Sequence, residues 1–328
     1  MVTVPEQLAA TGPRFSVEFF PPRSADEESL LWTTVRRLEP HRPAFVSVTY
    51  GAGGSHRDRT VRVIEKIARQ TTLLPVAHLT AVGHTVAELR QVIGAYAAAG
   101  VHNVLALRGD PPGTDPQAPW QPTPGGVSYA EDLVRLVRSS GSFCVGVAAY
   151  PTGHPQSPDL ASDTRYLADK VAAGADFVIT QMLFSADDYL ALRERAERAG
   201  VTAPIIPGVM PVTSSARLVR ICQLSGQPVP AGLAARLEAV TGDPAAGRAI
   251  GHEHALAMSR RLLDAGAPSL HFYTFNRAAA TLALLADLGI GAVPAGTGAV
   301  AGSAPTAGST SPAGAPGTVG AAGAGGSG

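Results

Sequence analysis

Cysteine, charge bias and long apolar runs are all scarce in this chain. Two cysteines, Cys144 and Cys222, occur in 328 residues, too few for a disulfide framework and without the spacing of a zinc site. Each sits in an apolar or helical pattern and reads as a buried thiol. Lysine plus arginine number 26, and aspartate plus glutamate also 26. That balance argues against a nucleic-acid binder held mainly by phosphate contacts, which carries a basic excess. It leaves room for a local cationic pocket. No stretch approaches the roughly 20 apolar residues of a membrane span. The first residues, MVTVPEQLAATGPRF, have neither the basic start nor the apolar core of a signal peptide. The expectation is a soluble cytoplasmic protein with no nucleic-acid and no membrane partner.

Charge is missing altogether from 291–328, which hold 12 Gly, 11 Ala and 4 Pro and no aromatic residue. Such a segment buries too little apolar surface to offset the entropy of ordering it, and is expected to be a disordered tail. Residues 1–290 remain for folding, enough for one large α/β barrel or two smaller domains.

Those residues alternate between two patterns. Strand-like runs fall at 15–19 and near 44–49, 73–79, 102–107, 143–149, 176–180, 204–208 and 269–273. A helical stretch opens after Ser24 with Asp26, Glu27 and Glu28 in its first turn, where the helix dipole favours acids. Further helical patterns follow near 58–69, 85–99, 128–140, 159–173, 186–199, 213–224 and 277–288, with additional helix over 231–265. Gly100, Gly174, Gly200 and Gly266 each stand just past a helical pattern, where glycine accepts a left-handed turn. Helix-sized crossovers imply parallel strand pairing. Eight such units predict a single-domain (β/α)8 TIM barrel; a doubly wound open sheet is the structural alternative. The G-x-G-x-x-G fingerprint of the dinucleotide-binding open sheet follows no strand.

Chemistry in such a barrel sits at the C-terminal ends of the strands. In order these ends carry Glu18, Thr49, His78, Arg108 with Asp110, Tyr150, Gln181, Pro207-Gly208 and Tyr273. Polar groups from seven of eight ends point to one site. The loops Gly51-Ala-Gly-Gly54, Arg108-Gly-Asp-Pro-Pro112 and Tyr150-Pro-Thr-Gly-His154 read equally as ligand-approach loops and as tight turns. In the helical pattern 159–173, Asp163, Tyr166 and Lys170 share a stripe about 60° wide beside Leu160, Leu167 and Val171. By spacing alone that stripe either grips a ligand or is a solvated flank, and the flank is favoured. His252 and His254 point about 200° apart on a helix and do not chelate one ion. No H-E-x-x-H or G-x-S-x-G sequence occurs, so neither a catalytic metal nor a serine hydrolase is expected.

The motifs VEFFPPR (17–23), FVSVTYGAGG (45–54), AHLT (77–80), LALRGDPP (105–112), VAAYPTGHP (147–155), KVAAGADFVITQ (170–181), IIPGVMPV (205–212) and HFYTFNRA (271–278) resemble, in order, those of the 5,10-methylenetetrahydrofolate reductases. The resemblance runs from about 15 to 288 and is to the compact bacterial type. It implies FAD in the barrel, NADH or NADPH as donor, and 5,10-methylenetetrahydrofolate as acceptor on the same flavin face, a ping-pong scheme. The product, 5-methyltetrahydrofolate, supplies methyl groups for methionine synthesis. No Arg/Lys cluster stands out for a 2′-phosphate, which leans to NADH. The family also implies a homo-oligomer.

Carried over by motif position, Glu18 matches the catalytic glutamate that assists proton delivery to folate N10. Burial among Phe15, Phe19 and Phe20 is the setting expected to keep it protonated. Asp110 matches the aspartate near flavin and pterin, and Gln181 the glutamine that hydrogen-bonds the pterin. Thr49, His78, Arg108, Gly109, Asp110, Tyr129, Ala130, Ala149, Tyr150, His154, Asp163, Tyr166 and Lys170 match FAD contacts, with Arg108 and Lys170 offsetting diphosphate charge. Under the resemblance the Asp163–Lys170 stripe becomes a ligand grip. Tyr273 and Arg277 match substrate-side positions. Two departures stand out: Ile221 where some relatives stack a phenylalanine on the folate, and Tyr166 where relatives can have asparagine.

Overall fold

The computed structural model of the chain describes residues 1–50, 57–110 and 120–291. The expected Gly51–Gly54 loop, Pro111 and Pro112, and the tail from 292 on lie outside the described residues. By its contacts the chain divides into Met1–Val293 and Pro294–Gly328.

Eight strands close into a barrel: β1 (Phe15–Phe19), β2 (Val46–Val48), β3 (Pro75–Thr80), β4 (Asn103–Leu107), β5 (Cys144–Ala149), β6 (Phe177–Leu183), β7 (Ile205–Val209) and β8 (Leu270–Tyr273). Every pairing is parallel. Closure is made by β8 on β1, with Ser16 opposite His271 and Glu18 opposite Tyr273. The closed sheet rules out the open alternative.

Among the described residues eleven α-helices accompany the strands: α1 (Val4–Leu8), α2 (Ala25–Leu38), α3 (Arg57–Gln70), α4 (Val86–Ala98), α5 (Ala130–Ser139), α6 (Leu160–Ala172), α7 (Ala186–Arg198), α8 (Ser215–Ser225), α9 (Ala231–Glu238), α10 (Pro244–Asp264) and α11 (Ala279–Leu288). Their starts follow capping chemistry. The Ser24 hydroxyl accepts from the Glu27 backbone N–H at 3.2 Å. Thr85 and Glu88 form a reciprocal capping box on α4. Gly100, Gly174, Gly200 and Gly266 have φ of 78°, 113°, 81° and 82°, the left-handed turns expected of them.

Strand alternation sorts the side chains. Val17, Phe19, Val46, Val48, Val104 and Val145 pack outward with the helices. Inside, Phe45, Val76, Leu105, Phe177 and Ile206 fill a smaller apolar cluster together with Val4 of α1. Helix α1 was not anticipated, because five residues are too few for a periodic signal. Its capping box on Thr3 and Glu6 and the proline in its first turn start it. Asn103 ties it down, accepting from Val4 N at 3.2 Å and donating to the Val2 carbonyl at 3.2 Å. The helical region 231–265 is two helices rather than one. Gly242 takes φ 100°, and Asp243 caps α10 by accepting from Ala245 and Ala246 N–H at 2.9 and 3.0 Å, ahead of Pro244.

Candidate active site

Above the apolar layer the barrel interior turns polar. Ser16, Glu18, Ser47, His78, Thr80, Thr180 and His271 are all buried. Glu18 points inward with Ser16, while Phe15 and Phe19 point outward into the helix layer. The expected aromatic enclosure of Glu18 is therefore wrong, because alternate residues of one strand face opposite sides. Its neighbours are two histidines: Oε2 stands 3.5 Å from His78 Nε2 and 3.8 Å from His271 Nε2. Neither contact has hydrogen-bond geometry, and both ring nitrogens are buried without a hydrogen-bond partner. Burial pushes His78 down to about 4, against the pull of Glu18, with His271 pushing the same way as burial. His78 is thus a neutral imidazole at neutral pH.

His271 was not singled out from the sequence, although it lies two positions before Tyr273 and so shares its face. Ser16 Oγ is 2.8 Å from His271 Nδ1, which fixes the ring. Phe45 stacks on it at 5.7 Å and Tyr273 meets it edge-on at 5.3 Å. The Tyr273 hydroxyl donates to the Thr180 carbonyl at 2.8 Å. Thr180 and Gln181 occupy a register shift between β6 and β7, a bulge of the kind that re-aims side chains beside sites. Gly208 N–H donates to Thr180 Oγ1 at 2.9 Å. The Gln181 side-chain oxygen Oε1 accepts from the Met182 N–H at 2.9 Å, and the same side chain meets the Tyr150 hydroxyl.

The sector from β4 to α6 gathers the expected cations. Arg108 is half-buried, and burial lowers its pKa. Trp120 lies under its guanidinium at 4.7 Å. Gly109 has φ 85°, and a Cβ there would overlap Val82. Asp110 is exposed beside it. Tyr150 and His154 meet edge-on at 4.6 Å. Burial pushes the Tyr150 phenol up to about 12 and lowers His154, aided by Arg108. The stripe on α6 is not a solvated flank. Asp163 accepts from His154 N–H at 3.2 Å and from Ser157 Oγ at 2.8 Å. Lys170 Nζ donates to the Ala148 carbonyl at 2.6 Å, and burial brings its pKa down to about 8, Asp163 opposing and Arg108 assisting. Tyr166, the third member, is 47% exposed, and Tyr129 at the start of α5 is 60% exposed. Ala130 is half-buried and Ala149 is buried.

The remaining expected residues sit on the rim. Thr49 N–H donates to the Phe19 carbonyl at 2.9 Å. Arg277 is exposed at the entry to α11. Two residues before it, Phe275 takes a left-handed φ of 49° and Asn276 one of 57°. Asn276 clamps the backbone of Phe20, accepting from its N–H and donating to its carbonyl, both at 2.9 Å. Phe275 stacks on Phe20 at 5.3 Å, with Arg217 over its ring at 5.0 Å. Ile221 is buried in the cluster that Phe275 packs against. His252 and His254 take separate partners, Asp287 and the Phe184 carbonyl.

The residues fit an anionic dinucleotide in one respect that geometry can test. A half-buried guanidinium and a largely buried ammonium face one mouth, and no carboxylate lies within 4 Å of either among the described residues. The described helices include none long and apolar enough to cross a membrane.

The family model for methylenetetrahydrofolate reductase matches residues 4–289. The 5,10-methylenetetrahydrofolate reductase of Escherichia coli (strain K12) is 37% identical over 276 residues, covering 84% of this chain and 90% of that protein. That of Pectobacterium carotovorum is 36% identical over 275 residues with the same coverage. A solved structure of a Clostridium thermocellum protein, described as binding two copies of 5-methyl-5,6,7,8-tetrahydrofolic acid, shares the fold with a TM-score of 0.59 at 12% identity, over 88% of this chain and 99% of that one. With eight motifs in order at the strand ends and a match spanning the whole barrel, the chain belongs to the methylenetetrahydrofolate reductase family.

Proposed function

We propose that residues 1–290 form a cytoplasmic, homo-oligomeric enzyme that holds FAD at the barrel mouth and reduces 5,10-methylenetetrahydrofolate to 5-methyltetrahydrofolate, with NADH or NADPH as donor in a ping-pong sequence, supplying methyl groups for methionine synthesis. Reduction of methylenetetrahydrofolate is the family's reaction. FAD, when bound, supplies the hydride chemistry that no side chain has.

The observation that carries the reading is the carboxyl group of Glu18, buried at the mouth within 4 Å of two histidines. Glu18 Oε2 is the atom that holds and gives the proton. Neutral His78 adds no positive charge beside it, and Ser16 keeps His271 from turning away. Gln181 offers its amide to the pterin from the β6 bulge, its carbonyl oxygen being engaged by Met182. Tyr273 and Arg277 bound the substrate side. Arg108 and Lys170 give charge-assisted hydrogen bonds to the diphosphate. Thr49, His78, Gly109, Tyr129, Ala130, Ala149, Tyr150, His154, Asp163 and Tyr166 line the remainder of the FAD cradle, and Asp110 stands near the flavin. Phe20 and Phe275 offer the aromatic surface that Ile221 does not.

The test is an anaerobic absorbance titration of the protein loaded with FAD. NADH or NADPH should bleach the flavin band and methylenetetrahydrofolate should restore it. Glu18→Gln should keep the bleaching and lose the restoration. A protein that takes up no FAD, or a Glu18→Gln variant with unchanged folate turnover, would overturn the assignment.

A further inference from the structure

The chain has two tryptophans, Trp32 and Trp120, and each lies against a cation. Trp32 packs under Lys66 on the outer helices, at 4.3 Å. Trp120 is half-buried at the mouth, with the Arg108 guanidinium over its ring at 4.7 Å. It has no part in the cradle described above.

The indole is held rather than free to turn. Its Nε1–H donates to the Ser128 carbonyl at 3.0 Å, which closes residues 120–128 into a loop ahead of α5. That loop hangs on the connection between β3 and α4. Thr123 Oγ1 accepts from the Gly83 N–H at 2.9 Å. The Gly125 carbonyl accepts from the Val86 N–H at 2.9 Å, a first-turn donor that α4 itself leaves unpaired. Gly126 passes so close that a Cβ there would stand 2.4 Å from the His84 carbonyl oxygen. The same connection carries the backbone of Arg108. Val82 N–H donates to the Arg108 carbonyl at 3.0 Å, and Gly109 has no room for a Cβ beside Val82. Indole and cation thus hang on one short segment, 82–86. Their spacing is set by hydrogen bonds of that segment and not by the long arginine side chain alone.

A guanidinium is planar, and its five N–H donors lie in that plane. An indole against its face takes a direction in which arginine has no donor to offer, and attracts the positive charge. Among the described residues the only side-chain hydrogen bond of Arg108 runs from Nε to the Gly109 carbonyl at 3.3 Å. The two terminal amino groups stay in plane for an anion. Freezing a long side chain costs entropy when a ligand binds, and a side chain already fixed spares that cost.

We infer that Trp120 is a positioning residue for Arg108: its indole sets the guanidinium plane so that both terminal amino groups meet the diphosphate of FAD. This rests on the FAD reading of the mouth. In this role the indole acts on the cofactor only through Arg108.

The experiment is a fluorescence titration of FAD against the full chain and its variants. Trp120→Leu should weaken FAD about fivefold, the size of a half-buried cation–π contact. Trp120→Phe keeps a ring face and should recover most of that loss. In an Arg108→Met background the further change Trp120→Leu should alter FAD affinity by less than about 1.5-fold, because the group it positions is gone. An unchanged affinity in Trp120→Leu overturns the inference, as does Trp120→Phe as weak as Trp120→Leu. A loss that persists in the Arg108→Met background also overturns it, since the indole would then meet the cofactor directly or merely shape its loop. Should Arg108→Met take up too little FAD to titrate, the pair is read without cofactor. With Trp32→Phe in place, Trp120 is the sole tryptophan, and Arg108→Met should shift its emission; an unmoved emission overturns the inference. If the unaltered protein takes up no FAD, it is the FAD reading itself that fails, and the emission still decides whether indole and guanidinium are paired.

Discussion

Lys170 makes a prediction in which one side chain drives two measurements in opposite directions. Its amine is held near 8 rather than the usual 10.5, chiefly by burial. In the FAD-free protein the unfolded chain keeps this proton between those two values and the folded chain does not. Stability therefore rises with pH across that window, because the unfolded state binds more protons. The full displacement corresponds to about 3.4 kcal/mol at ~1.36 kcal/mol per pH unit, an upper limit reached only above the window. Binding a diphosphate beside Lys170 favours its charged form and so takes up a proton. FAD affinity should be flat below pH ~8 and weaken above it, by at most about tenfold per pH unit. Tyr150, held up at about 12, does not titrate in this range. The assay is a fluorescence titration of FAD from about pH 6.5 to 9.5, paired with denaturant melts of the FAD-free protein. Lys170→Met should flatten both profiles and weaken FAD at pH 7 by about 1.5–3 kcal/mol, the range for a hydrogen bond to a charged group. An affinity independent of pH above 8, or a pH dependence that survives Lys170→Met, would refute the reasoning.

Three further outcomes follow from the interior. His78 lies near 4 against an ordinary 6.5, so the unfolded state binds its proton first on acidification; stability should fall from about pH 6.5 towards pH 4, and His78→Gln should remove up to about 3.4 kcal/mol of that dependence at ~1.36 kcal/mol per pH unit, read in urea melts across the range. A Cβ on Gly251 would overlap the Val212 carbonyl oxygen, and one on Gly247 would stand 2.5 Å from the Thr213 carbonyl; Gly251→Ala should cost about 1–3 kcal/mol or more by pushing α10 off the chain after β7, and a melting point unchanged from the parent would show that α10 is not pressed there. Val4 is fully buried in the barrel interior, so Val4→Ala should cost about 2 kcal/mol, measured by the urea midpoint, and a cost near zero would mean that α1 does not close the barrel.

The barrel was legible because each strand is a compact apolar run and each helix brings its own start and stop. Gly100, Gly174, Gly200 and Gly266 marked ends that turned out left-handed, and all eight strand positions stand where the apolar runs put them. What stayed hidden depended on contacts between distant residues. The α6 stripe could not be placed by spacing, because its burial is set by the Ala148 carbonyl and the loop from 150 to 157, which reach it from β5. Helix α1 is too short for a periodic signal, and its place is set by Asn103, 99 residues further on from Val4. The surroundings of Glu18 are hidden from the sequence for the same reason. Neighbours in sequence, Phe15 and Phe19, face away, while His271 arrives only when β8 closes on β1, 255 residues from its partner Ser16.

The mouth also shows where the fold departs from what stability alone would select. The lower interior is filled by Phe45, Leu105, Phe177 and their neighbours, a packed apolar layer. One layer higher, Ser47 Oγ, His78 Nε2, Thr80 Oγ1 and His271 Nε2 are buried without a hydrogen-bond partner in the protein. Each such group is costly, on the order of 1–3 kcal/mol. The orphaned atoms gather on the inward faces of β2, β3 and β8, around Glu18, and two of them belong to its own histidine neighbours. A barrel selected only to fold would carry valine or leucine there, as it does below. Polar groups held in place with no partner in the protein, at one end of an otherwise apolar interior, are what a site for a polar, flat ligand requires.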